Sequence, residues 1–70
     1  MKEFYELVEK KYDKPINGYT VMGDMVEIIG EALDKANGNE YYYYNIVGYT
    51  PENGKPFVAL KCNVIPIYPV

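Results

Sequence analysis

The sequence predicts an α+β fold: two amphipathic helices packed on a small antiparallel sheet built around a C-terminal β-hairpin. Three observations carry that expectation. Apolar residues recur at helical spacing in the first half, as Phe4, Leu7, Val8 and Tyr12 and again as Met25, Ile28, Ile29, Ala32, Leu33 and Ala36. The second half opens on four consecutive tyrosines, Tyr41 to Tyr44, which favour strand over helix. A polar turn bracketed by prolines, Pro51-Glu52-Asn53-Gly54-Lys55-Pro56, then separates two β-prone runs. With 70 residues, positions 1–70 make a single small globular domain.

The first helix is expected from about Lys2 to Tyr12. Lys2–Glu6 and Glu6–Lys10 add opposite charges at i, i+4. Asp13-Lys14-Pro15 ends it, because the residue before a proline is pushed out of the α region. Tyr19-Thr20-Val21-Met22 reads as an edge strand or an extended connector. Gly23-Asp24 admits a tight hairpin with Met25-Val26 returning. The preferred reading makes Asp24 a helix N-cap instead, with Glu27 three residues on completing a capping-box pattern. Asn37-Gly38-Asn39 stops that second helix, with Gly38 free to turn left-handed. Glu40 to Thr50 and Phe57 to about Val64 form the hairpin. The tail, Ile65-Pro66-Ile67-Tyr68-Pro69-Val70, is apolar but twice broken by proline, which suits an edge.

Composition excludes several chemistries. The chain has no His, Trp, Arg, Ser or Gln. Without Ser and His there is no Ser-His-Asp triad, and the single Cys62 has no imidazole to activate it. One Cys and no His cannot furnish an ordinary zinc site, and no calcium-loop spacing is present. No catalytic residue, cofactor or metal is therefore expected, and the protein reads as a non-enzyme. A net charge of −3 opposes direct nucleic-acid binding. One Cys cannot staple the chain internally, which suits a reducing, cytoplasmic setting. The N-terminus alternates charge with aromatics and lacks a signal-peptide run, and no stretch has the apolar length of a membrane span.

Alternation along the hairpin sets the candidate surfaces. Val58, Leu60, Cys62 and Val64 are expected to face the helices. The expected core is Phe4, Leu7, Val8, Met25, Ile28, Ile29, Ala32, Leu33, Tyr44, Ile46, Val58, Leu60 and Cys62, with Cys62 a buried inert thiol. On the opposite face Tyr41, Tyr43, Val47, Tyr49 and Phe57 would stack beside Lys61. Tyrosine is amphipathic, loses little entropy on immobilisation and is enriched at interfaces. That face is the candidate docking surface, for a protein partner or for self-association. A second reading uses Glu27, Glu31 and Asp34 as an acidic helix face. It would occupy a basic site on a larger nucleic-acid-handling enzyme, as a small inhibitor encoded by a phage or mobile element would do. A third is a small-ligand-binding domain lined by tyrosine hydroxyls and a glutamate.

Overall fold

The computed structural model describes residues 7–68, and among them every long element is a strand. β1 (Leu7–Thr20), β2 (Met25–Asp34), β3 (Asn39–Ile46) and β4 (Phe57–Leu60) run up and down, and a 3-10 turn over Lys61–Asn63 leads into β5 (Val64–Pro66). All neighbours are antiparallel, in the order β4-β3-β2-β1-β5. The expected α+β architecture is thus corrected to an all-β one. Of the first expected helix, residues 7–12 belong to β1 and residues 2–6 lie outside the described part. The second expected helix is β2.

The connectivity forces the sheet to curl. β4 and β5 lie at opposite edges, four strand spacings apart, or about 19 Å in a flat sheet. Leu60 and Val64 are only four residues apart in the chain, a reach of at most about 14 Å. The two edges must therefore bend toward each other, and the result is a five-stranded half-barrel. Its seam lies beside the first half of β1, which pairs with β5 only at Gly18, Tyr19 and Thr20.

Local chemistry explains why β2 is not helical. Gly23 sits at φ 94°, a left-handed backbone that favours glycine, and lets the chain reverse immediately before β2. Gly23 N–H donates to Thr20 O at 2.9 Å, and Asp24 N–H donates to the Thr20 hydroxyl at 3.1 Å. The hairpin reading of Gly23-Asp24 is the one realised, and Asp24 is a turn residue rather than a helix cap. Val26, Ile28 and Ile29 are β-branched, and Gly30 costs a helix about 1 kcal/mol. Ladders on both sides then decide the matter. The helix-like spacing has its own cause. The β2–β3 register shifts between Ile28 and Gly30, so β2 carries one extra residue there. Across that bulge Ile28 and Glu31 share the concave face, a step of three that imitates helical periodicity.

The concave face holds the core. Val26, Ile28, Tyr42 and Val64 form its buried cluster, with Tyr12, Ile16, Tyr44, Ile46 and Ala59 packed against it. Of the expected core, Ile28 and Ala32 are buried, and Ile29, Tyr44 and Ile46 are half-buried. Val8, Met25, Leu33, Val58, Leu60 and Cys62 are exposed. Phe4 and the Leu7 side chain lie outside the described part. The Phe57–Val64 strand breaks at the 3-10 turn, so Cys62 leaves the alternating series and reaches the surface. The Pro51–Pro56 segment is a turn, closed by Gly54 N–H donating to Pro51 O at 3.1 Å. Among the described residues, no helix is long and apolar enough to cross a membrane.

Candidate functional site

Register decides which side chains share a face. Tyr43 lies opposite Val58, and Tyr44 opposite Phe57. Residues directly opposite each other point the same way. Phe57 therefore joins Tyr44, with ring centroids 5.7 Å apart, and also meets Tyr49 at 5.9 Å. Tyr41 and Tyr43 are half-buried on the convex face, beside Val58 and Leu60. Val47 and Tyr49 follow the end of β3 and are exposed. Lys61 sits in the 3-10 turn and folds toward the concave side. The six residues of the expected tyrosine face are thus distributed over two sides of the sheet and its end. The neighbouring Glu9 carboxylate, with burial, raises the Tyr43 phenol pKa.

The three candidate acids also separate. Glu27 is exposed on the convex side of β2. Asp34 is buried and spends its carboxylate on the β2–β3 turn. Its oxygens accept from Ala36 N–H at 3.0 Å, Asn37 N–H at 3.4 Å and the Asn37 side-chain amide at 2.9 Å. Glu31 faces the concave side at the centre of a polar cluster. It accepts from the Tyr12 hydroxyl and, at 2.9 Å, from Lys61 Nζ. Lys61 also reaches Glu40 at 3.1 Å and lies 5.1 Å from the Tyr42 ring centroid. The bonds from Tyr12 and Lys61 hold the Glu31 carboxyl below its ordinary pKa. The same carboxylate, aided by Glu40, raises the Lys61 ammonium. Burial and the Glu31 bond push the Tyr12 phenol well up, and burial with the neighbouring Tyr68 phenol raises Tyr42. This cluster joins β1, β2, β3 and the β4–β5 turn, and its charges are already satisfied by one another. It acts as a latch on the curled sheet.

Two shallow recesses flank Tyr43 on the convex face. The larger, about 390 Å³, has Ala32 at its floor with Tyr41, Tyr43 and Val58 around it. Among the described residues no group of three or more Cys, Asp or Glu is placed to hold a metal ion.

The most exposed apolar surface lies elsewhere. Tyr19 pairs with Met25 on one side and Ile65 on the other, so all three share the convex face. Val47 extends the row, its N–H donating to Met25 O at 3.0 Å. The row therefore reads Val47-Met25-Tyr19-Ile65 across the width of the sheet. Val21 stands two residues beyond Tyr19, and its N–H donates to Asn63 O at 3.1 Å. Ile67, two beyond Ile65, donates to Asn17 O at 2.7 Å. Met22 caps the hairpin tip. These seven residues are between 39% and 85% exposed. Of these seven, only Val47 belongs to the expected docking face, and Met25 belongs to the expected core. A signal for the rest did exist: Ile65 and Ile67 alternate with Pro66, and Tyr19 and Val21 alternate with Thr20, each the mark of one apolar strand face.

Comparisons with family models, characterised proteins and solved structures gave no match.

Proposed function

We propose that the chain is a small, non-enzymatic protein-interaction module that docks through the convex apolar row. One observation carries this reading. Four cross-strand neighbours, Val47, Met25, Tyr19 and Ile65, present apolar side chains to solvent in an unbroken line. Single exposed apolar residues are ordinary, whereas a contiguous patch marks an interaction site. The composition supports the non-enzymatic part, since the commonest nucleophile–base pairs have no residues to build them. The exposed thiol of Cys62 suits a reducing compartment such as the cytoplasm.

The reading is tested by capture with immobilised wild-type chain and a Met25→Ser/Ile65→Ser variant. Both positions are exposed, so the variant should fold with stability within about 0.5 kcal/mol of wild type. Wild type should retain a partner that the variant loses. Equal retention by the two baits would refute the assignment of this face.

A further inference from the structure

Resting on that reading, we infer that the occupant of the convex row is a second copy of this chain, seated face to face about a two-fold axis. Area is the first argument. A fully bared side chain of this size offers about 150–200 Å², the low end of the aromatic range. At their observed exposures the seven residues then present on the order of 600–800 Å². The largest apolar patch on a typical monomer is about 300–600 Å², and a standard interface covers about 800 Å² per partner. The row therefore supplies most of what one side of a standard dimer interface needs.

The border of the row is the second argument. A two-fold interface sets a surface against itself, so each group must tolerate its own kind. The next convex row is Asn17, Glu27 and Asn45, and Asn63 lies opposite Val21. An asparagine amide both donates and accepts and can therefore bond to its own copy. Glu27 is the one charge in that bordering row. With one charge in that row, the border is carried by asparagines that tolerate their own copies.

Edge protection is the third argument, and it fixes the mode of contact. The edge of β1 that β5 leaves uncovered carries Lys10, Lys11, Lys14 and Pro15; β4 is four residues long and follows Pro56; β5 is three residues long and contains Pro66. Lysines, prolines and short strands are the devices that stop strand-to-strand addition. With the edges guarded and the face bare, two copies meet through their faces.

Sedimentation of the full chain across a wide concentration range tests this. Wild type should reach twice the 8.1 kDa chain mass at high concentration and return to the single mass on dilution. Met25→Ser/Ile65→Ser should stay at the single mass throughout while keeping its strand circular dichroism. Val21→Asp should do the same, and Met25→Leu/Ile65→Val should restore the doubling. A wild type that remains at 8.1 kDa throughout would overturn the inference, as would a doubled mass kept by both disruptive variants. The broader reading is separable. A monomeric wild type that still retains a different protein, lost by the Met25→Ser/Ile65→Ser bait, would leave the docking face standing with another occupant. A monomer retaining nothing would end both.

Discussion

The polar latch makes a prediction that can be worked from its geometry. Glu31→Gln keeps the length of the side chain and removes its charge. The Gln carbonyl can still accept from Tyr12, but the bond from Lys61, 2.9 Å in the wild type, loses its ionic partner. Hydrogen bonds to charged groups contribute about 1.5–3 kcal/mol when well buried, and exposed ion pairs about 0–1 kcal/mol. The Lys61 and Glu31 side chains are 27% and 29% exposed, which places the pair between these limits. The expected loss is about 1–2 kcal/mol at neutral pH, or roughly 5–15 °C in melting temperature for a domain of this size. The pH dependence supplies the sharper reading. The folded pKa of Glu31 lies below its ordinary value of 4.5, so its bonds stabilise the fold above that pH. That gain disappears as pH falls through the folded pKa. Wild type and Glu31→Gln should therefore differ at pH 7 and converge in acid below about 4.5. Urea unfolding at one protein concentration, over a pH series, measures both. Equal stabilities at pH 7, or a difference that persists undiminished in strong acid, would refute the latch.

Other substitutions probe the rest of the fold. Ile28 is fully buried at the centre of the core cluster, so Ile28→Ala should cost about 2–5 kcal/mol in denaturant unfolding. Gly18→Ala would place a methyl 2.7 Å from Ile65 O and 3.1 Å from Ile28 Cδ1, against backbone that cannot easily yield. It should cost about 1–3 kcal/mol and selectively speed hydrogen exchange at Ile67, whose N–H is bonded to Asn17 O. Asp34→Ala removes the acceptor for three turn hydrogen bonds and should lower stability by about 1–3 kcal/mol, whereas Glu27→Ala should stay within about 0.5 kcal/mol of wild type.

What the sequence yields here is local, and what it withholds is non-local. The Asn37-Gly38 and Asn53-Gly54 turns were legible because glycine answers a backbone demand at its own position: Gly38 and Gly54 lie at φ 74° and 68°. The β3 and β4 runs were legible from tyrosine and β-branched composition. β2 was not. Its stripe of Met25, Ile28, Ala32 and Leu33 combines residues from both sides of a bulged strand, and only pairing with β1 and β3 shows that. The face of Phe57 was equally hidden, because it depends on Tyr44 rather than Tyr43 standing opposite. A slip of one residue exchanges the two sides of a strand.

The tyrosines show why a surplus of aromatic residues does not by itself make an aromatic docking plane. A four-residue run in a strand must alternate, so Tyr42 and Tyr44 turn to the concave side while Tyr41 and Tyr43 turn to the convex one. The half-barrel is narrow, and among the described residues its fully buried large side chains are only Val26 and Ile28. Rings from Tyr12, Tyr42 and Tyr44 enlarge that small interior, and the Tyr12 hydroxyl still finds Glu31 at its margin. Phe57, expected on the docking face, instead stacks on Tyr44 on the concave side. Met25, expected in the core, is exposed on the convex side. A strand cannot bury both of its faces in a single curled sheet, and Met25, Ile65 and Ile67 lie on the face left outside. Covering that face requires a second layer, which the described part of one chain does not supply and a second copy would.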